Sequence, residues 1–547
     1  MKKEMKRIYL LSLILVGFAF ASCSDIESIA PESGRMISTQ VQETYANAPD
    51  RAIAPFAGMF TDIGKPCKLR NNPDDWEFLL ILFCNDMEGA DALIPDSGYN
   101  WFSVCGELSS RSATYRNPLL RYSAPYNMIG SVNTFLNGFG EDASADQINM
   151  MAQARVLRAW SYQLLAQAYQ FNYQIAGDKP CVPIVTQETT EFTNNPRASV
   201  KEVYDLILED LNYAVEKLEG SSRTSKMYID GHVAHGLRAR VYLDMGEWQK
   251  AYDDAVKAAE GYTPATLAEV SKPSFYDLSE HNWMWGYDMT TALTQAGGNS
   301  MYANPSSWLR SFSGYSYSAA CQVYTCINTM LWNKIPAGDI RKQWWVDENL
   351  ESSLLDGLAW PGFDDVANAN DGGDTKLPYL PYTNVKFGCI TIGTQTNDED
   401  MVLMRVEEMI LIQAECQAHM GNNSQATQIL ENFVNTYRMK EGKYSVNDGG
   451  RSLLDEIWFQ RRVELWGEGF YVPDMHRLNK PLVRFHDNEA STNMPAAFRF
   501  NLPADDPWLL MRFVQSELNT NFGIVDNSGG HQPVTDENPS LRDGVTD

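Results

Sequence analysis

The sequence predicts an all-α protein with antiparallel helix pairs early and late in the chain. A loop-rich insertion and a few short strands lie between them. Three observations lead there. Apolar residues recur at helical spacing through long stretches before Tyr262 and again after Asp400. Helix-starting and helix-stopping residues sit at the ends of those stretches. From Tyr262 to Asp400 the periodicity lapses, and Gly, Ser, Asn and aromatic residues crowd the chain. With 547 residues, 44% of them hydrophobic and 12% aromatic, the chain can bury a large core, which excludes wholesale disorder. Its formal net charge of −26 repels phosphate backbones and makes duplex nucleic acid a poor partner.

The first 22 residues read as a secretory signal. Lys2, Lys3, Lys6 and Arg7 stand against Glu4, an apolar run from Ile8 to Phe20 follows, and Ala21-Ser22-Cys23 closes the segment. The apolar run is shorter than a spanning helix needs. Its small-small-Cys ending resembles the lipobox of bacterial lipoproteins, in which the cysteine, here Cys23, is lipidated and becomes the first mature residue. Removal of residues 1–22 would take the formal charge from −26 to −29. Ser24-Asp25-Ile26-Glu27 resembles the acidic tag that sends Bacteroidetes lipoproteins to the cell surface. No other run in the sequence approaches a membrane span, so the lipid would be the only anchor. The eight remaining cysteines carry no zinc-type spacing, and their number alone assigns no pairing. Cys416, on an apolar helical face, reads as a buried small residue.

Gln147 to Tyr173 is the first strong helix, with Val156, Ala159-Trp160, Leu164, Ala168 and Phe171 on one stripe and Pro180 and Pro183 beyond its end. Ser199 and Glu202 make a capping box for the next, whose buried stripe is Val203, Ile207, Leu211, Ala214 and Leu218. A helix from His232 breaks at Gly246 and resumes at Glu247, which predicts a helical hairpin. That hairpin has an echo 175 residues on: Leu237, Ala239, Met245, Gly246 and Ala251 correspond to Ile412, Ala414, Met420, Gly421 and Ala426. Small residues at the crossing and Gly at the turn let two antiparallel helices pack closely, and the pattern resembles tetratricopeptide repeats. Further helices are predicted from Ser452 to Gly469 and over the C-terminal region to about Asn521. Asn282 to Thr290 alternates like a short strand, and Asp364 to Gly373 is a loop.

Taken in order, several blocks resemble the SusD/RagB family of Bacteroidetes outer-membrane lipoproteins. After the lipobox come Arg155, Ala159 and Tyr162 to Tyr169, then Gly177-Asp178-Lys179-Pro180, and then Tyr204 with Asp210-Leu211 and Ala214. Arg240 to Leu243 with Gly246, Trp248 and Ala251 follow, and then Lys386-Phe387, Arg405, Glu408, Ile412 and Ala414-Glu415. Gln460 to Leu478, QRRVELWGEGFYVPDMHRL, is the most specific block. It departs from the family pattern at Tyr471 and Pro473 but keeps Asp474 and Arg477. Gln515, Glu517 and Asn521 match the usual ending. The resemblance implies one SusD-like domain over residues 23–547, with a helical scaffold at about 40–260 and 400–525 and a ligand-facing insertion at about 262–400. It also implies an outer-membrane, lipid-anchored, surface-exposed protein that captures oligo- or polysaccharide and delivers it to a SusC-like TonB-dependent transporter. Capture of peptides, as in the RagB branch, is the alternative, and the negative charge suits basic peptides. A glycoside hydrolase is a further rival.

Catalysis finds little support in the residues. Adjacent carboxylates such as Asp74-Asp75, Asp364-Asp365, Glu407-Glu408 and Asp505-Asp506 are numerous, but glycoside hydrolysis needs two carboxyls facing each other across a cleft. Arg461, Arg462, Glu464 and Glu468 sit at helical spacings that favour structural ion pairing. No phosphate-binding loop, dinucleotide motif or nucleophile elbow occurs, and no cofactor is expected. His232 and His235 lack a third ligand for a metal. Asn368, Asn370, Asp371 and Asp374 offer oxygens suited to a structural calcium ion, without the regular spacing of an EF-hand.

The aromatic residues carry more. A sugar ring presents flat C–H faces to Trp and Tyr, and amides and charged groups bind its hydroxyls. Tyr99, Asn100 and Trp101 in one turn-rich stretch, and Tyr302, Asn304 and Trp308 in another, are therefore the candidate ligand-binding residues. Tyr315, Tyr317, Trp344, Trp345 and Trp360 lie in the same loop region, whereas Trp160, Trp248, Trp458 and Trp466 fall on helices and read as core.

Overall fold

A computed structural model describes residues 38–66, 74–95, 100–294, 304–310, 324–358, 380–390 and 397–547. Its scaffold is helical. Helices α1 (Ser38–Asn47), α2 (Ile53–Thr61) and α3 (Glu77–Met87) precede the short strand β1 (Ala92–Leu93). The four-residue turn α4 (Ser103–Gly106) leads to two long helices, α5 (Arg116–Leu136) and α6 (Ala145–Tyr169). Helices α7 (Val200–Leu218), α8 (Gly231–Met245) and α9 (Trp248–Ala259) complete the first part. Strand β2 (Trp283–Tyr287), the short helix α10 (Pro305–Leu309) and strand β3 (Cys326–Ile327) belong to the insertion. Strand β4 (Met401–Arg405) returns the chain to helices α11 (Val406–His419), α12 (Asn423–Tyr437), α13 (Leu453–Glu464) and α14 (Tyr471–Arg477). The six-residue α15 (Gln515–Thr520) is the last.

Local chemistry explains the boundaries. Ser144 caps α6 and Ser199 caps α7, each in a reciprocal box with the Gln or Glu three residues on. The α8–α9 and α11–α12 hairpins turn on Gly246 (φ 76°) and Gly421 (φ 81°), left-handed positions that favour glycine. The predicted echo is thus two copies of one hairpin, and α9 packs along α11. Asn282 to Thr290 does contain a strand, β2. The helix predicted from Ser452 to Gly469 stops at Glu464, because Gly467 (φ 80°) and Gly469 (φ 88°) turn the chain away. The C-terminal region holds only the short α15 where a longer helix is expected.

The fold is all-α with few strands, as the sequence implies. Its two ladders fix where the insertion is rooted. Strand β2 pairs antiparallel with β4, Trp283 opposite Arg405 and Tyr287 opposite Met401. The chain therefore leaves and re-enters the scaffold side by side. Strand β1 pairs antiparallel with β3, Leu93 opposite Cys326, which ties the segment after α3 to the insertion.

Core assignments hold for Trp160, Trp458, Trp466 and Cys416, all buried. Trp248 differs: it is half-buried and stacks on His419 with centroids 3.8 Å apart, bridging the two hairpins. Trp344 and Trp345, expected among the loop rings, are core residues. Trp344 lies edge-on to Phe275 at 5.7 Å and Trp345 edge-on to Trp466 at 5.3 Å. His232 contacts the Tyr262 ring and His235 pairs with Asp254, and no cluster able to hold a metal occurs among the described residues. The calcium expectation at Asn368, Asn370, Asp371 and Asp374, like Tyr315, Tyr317 and Trp360, lies outside the described residues.

Candidate ligand-binding face

Five separate stretches meet beside the β1–β3 ladder. They are Asn100–Phe102, the α10 segment, Tyr324–Ile327, Leu380–Gly388 and Asn397–Asp400. Thr383 bridges to Cys326, and Leu380 and Tyr382 pack with Leu93, Tyr324, Met494 and Phe498. Asn304 caps α10: its Oδ1 accepts from the Ser307 N–H at 3.1 Å, and its Nδ2 donates to the Asn397 carbonyl at 2.9 Å. Ser306 donates to Glu399 at 2.6 Å, and Thr325 Oγ1 donates to the Trp308 carbonyl at 2.8 Å. Arg310 donates to the carbonyls of Gly388 (2.8 Å), Phe275 (3.0 Å) and Asp400 (2.8 Å), so one guanidinium gathers three segments.

These contacts revise the predicted site. Trp308 is 1% exposed, its ring wedged between Phe83 and Phe102 with both centroids 5.0 Å away. Asn304 is likewise fully buried, its amide committed to the α10 cap and to Asn397. Neither side chain faces solvent, because Asn304-Pro305 starts a helix whose apolar residues point inward; the two form the floor of the face. Asn100 and Trp101 are half-buried at its edge, with Asn100 Oδ1 accepting from the Phe102 N–H at 2.9 Å. Tyr99 and Tyr302 lie outside the described residues.

Sequence reasoning passed over one aromatic pair of the insertion. Trp332 and Tyr382 meet edge to face at 5.3 Å, and the Lys342 ammonium lies 4.0 Å above the Trp332 ring. Both rings are half-buried. The Trp332-Asn333-Lys334 stretch, an aromatic next to polar residues, held the signal. Tyr382 adopts a left-handed backbone (φ 68°), uncommon for a residue with a side chain.

Beneath the face lies a buried ion network. Arg405 bonds Glu464 (2.7 Å) and Glu468 (2.8 Å), Arg438 bonds Glu464 (2.8 Å) and Glu407 (3.3 Å), and Arg341 bonds Asp339 and Glu464. Lys386 completes it at 2.7 Å from Glu468. Burial pushes the Lys386 ammonium down to about 8 although Glu468 opposes the shift. Burial works against ionisation of Glu464 as well, yet Arg438, Arg405 and Arg341 hold its carboxyl well below the usual range. Every member has a partner of opposite charge, so the cluster reads as structural support rather than catalysis. A cavity of about 50 Å³ between the scaffold helices, lined by Arg240, Asp244, Glu408, Arg461, Asp474 and Arg477, is too small for a sugar ring.

Paired helices carrying a loop-rich face above an ion-paired base define an all-α protein built on helical hairpins. More closely, the chain belongs to the SusD/RagB family. Residues 76–243 match the model described as "Starch-binding associating with outer membrane", and residues 346–529 match that of the SusD family. A SusD-like protein P2 of Formosa agariphila is 22% identical over 423 residues, 74% of this chain and 79% of the relative. A SusD-like carbohydrate-binding protein of Bacteroides vulgatus superposes with a TM-score of 0.69 at 24% identity, covering 87% of this chain and 96% of the other. A laminarin-binding SusD-like protein superposes with a TM-score of 0.59 at 16% identity, covering 88% and 99%. At these identities the structural likeness establishes the fold.

Proposed function

We propose that this chain is a lipoprotein of the outer membrane, anchored through Cys23 and exposed at the cell surface. There it captures an oligo- or polysaccharide and passes it to a SusC-like TonB-dependent transporter. The observation that supports the reading is the half-burial of Asn100 and Trp101 beside Phe102, whose ring meets the buried Trp308 of the insertion. Sugar rings stack on Trp101 and on Tyr99 and Tyr302, and the Asn100 amide bonds hydroxyls. Trp308 and Asn304 contribute by holding that loop in place. Binding needs no bond-breaking group, and the protein acts without catalysis or cofactor. The described residues include no helix long and apolar enough to cross a membrane.

The test is gel retardation of the full mature chain on a panel of polysaccharides, with basic peptides in parallel. Trp101→Ala should weaken retention by the cognate glycan at least about tenfold, the loss of one well-formed stacking contact. Trp308→Ala should instead lower the melting temperature, because it opens a cavity in the core worth roughly 3–5 kcal/mol. Unchanged retention by the Trp101 variant would remove that residue from the site. Binding of peptides and of no polysaccharide would replace the glycan reading with the RagB-like one, and release of reducing sugar would overturn the absence of catalysis.

A further inference from the structure

Cys84 on α3 and Cys105 on α4 are 21 positions apart in sequence, yet their sulfurs lie 3.4 Å from each other. Both thiols are buried, in the layer that also holds Phe83 and Phe102. Theirs is the one sulfur-to-sulfur contact among the described residues: Cys326 is turned toward Tyr324 and Thr383, and Cys181, Cys389 and Cys416 meet no second thiol. The gap exceeds a disulfide bond by only about 1.4 Å, a distance that a small rotation of either side chain closes. The enclosed segment holds β1 and the Tyr99-Asn100-Trp101 stretch.

We propose that Cys84 and Cys105 form a disulfide in the exported protein, which closes a loop around the candidate ligand-binding stretch. The proposal rests on the export reading only for its oxidising compartment. The chemistry is two exchanges with a disulfide oxidant of the cell envelope. One cysteine thiolate attacks the oxidant's disulfide, forming a mixed disulfide and releasing one oxidant thiolate. The second cysteine then attacks the mixed disulfide and releases the other. Two electrons and the two thiol protons pass to the oxidant, which leaves as a dithiol. The hydrogen bond to Cys84 and burial raise the Cys105 thiol well above its ordinary value, so few thiolates form in the folded state. The reaction therefore belongs to the folding chain, before α4 closes over α3.

The bond would matter for binding because the stretch it encloses presents Asn100 and Trp101. In the folded chain the first part of that segment is held by Arg484 on the carbonyls of Glu88 and Gly89, by Arg111 and Arg121 on Glu88 and by Arg462 on Asp91, and beyond Asp91 by the two-residue β1–β3 pairing. A cross-link between α3 and α4 limits the conformations open to everything between them.

The experiment has two arms on the full chain. In the first, the denatured, reduced protein is refolded in a glutathione redox buffer, alkylated and mapped by mass spectrometry. A linked peptide pair containing Cys84 and Cys105, lighter by two hydrogen atoms than the separate peptides, is expected, and alkylation of both residues would overturn the geometry. In the second, the protein is expressed from its own signal sequence, the envelope fraction is quenched with acid to stop thiol exchange, and the precipitate is redissolved in denaturant near neutral pH with N-ethylmaleimide to alkylate the free thiols. The same linked pair is expected. Both thiols alkylated there, with the link formed in the first arm, would overturn the proposal for the exported chain and leave the pairing geometry intact. Cys84→Ser with Cys105→Ser supplies the functional control. Reduction should speed proteolysis between Ile94 and Trp101 about tenfold in the parent chain and leave the double variant unchanged. Equal acceleration in both would show that the pair does not staple the loop.

Discussion

Glu464→Gln is the sharpest perturbation of the support beneath the face. Glu464 is fully buried and accepts from Arg341 (3.2 Å), Arg405 (2.7 Å) and Arg438 (2.8 Å). The network balances Arg341, Lys386, Arg405 and Arg438 against Asp339, Glu407, Glu464 and Glu468. The substitution keeps the shape and removes one negative charge, which leaves a buried positive excess. Breaking a buried pair from one side costs roughly 3–5 kcal/mol. Unfolding entropy near the midpoint is about 2.1 cal/mol/K per residue, or roughly 1 kcal/mol/K for a chain of this size. The melting temperature should therefore fall by about 3–5 °C in a thermal scan followed by circular dichroism. A double variant, Glu464→Leu with Arg438→Met, removes one charge of each sign and should recover at least about half of that loss. A shift under about 1 °C for the single variant, or a double variant that loses the full sum, would refute the charge-balance argument.

The two hairpin glycines should behave alike. Gly421→Ala meets only backbone strain and should cost about 1 kcal/mol, and at Gly246 the added methyl meets only the amide end of the exposed Gln174 side chain, which can swing aside, so the loss should again be about 1 kcal/mol. A loss at Gly246 several-fold larger than at Gly421 in urea titrations would contradict this. Burial pushes Asp86 up to about 7 against the backbone N–H groups of Gly469 and Tyr471. The unfolded carboxyl loses its proton near pH ~4, so the Asp86 contribution is full below that pH and is lost as pH rises toward 7. Asp86→Asn, which imitates the neutral acid, should gain on the parent between pH 5 and 8 in thermal scans. A difference independent of pH would refute the assignment.

Much of the scaffold was legible because its signals are local. Ser199 and Glu202 stand three apart, the Gly246 and Gly421 turns follow matching small residues, and both hairpins form as the spacing predicts. Helix α3 was harder, since Glu77–Met87 is apolar nearly all round and shows no stripe. Helix α5 carries Pro125 in its interior, which reads as a break. The buried rings of the insertion read as surface for a different reason. Trp308, Trp344 and Trp345 lie in a sequence rich in turn residues, so their neighbours look like surface loop. Their burial comes from partners remote in sequence: Phe83 and Phe102 for Trp308, Phe275 for Trp344 and Trp466 for Trp345. The Asn304-Pro305 pair did announce the start of a helix, with Asn as cap and Pro in the first turn.

The same burial bears on how loops of this kind are held in place. A binding stretch outside regular structure positions its side chains only as well as its support does. Here the support is polar where the insertion meets the scaffold and aromatic where the early segment meets the insertion. Arg310 gathers three carbonyls, and Lys386 reaches from the insertion to Glu468 beyond α13. Hydrophobic replacement of such charges is often neutral for stability, so stability alone does not account for them. Their geometric demand does: a guanidinium facing three fixed carbonyls tolerates far less sliding than a greasy contact would. The network thus fixes the register of the insertion roots, and the Trp308 wedge against Phe83 and Phe102 anchors the residue next to Trp101.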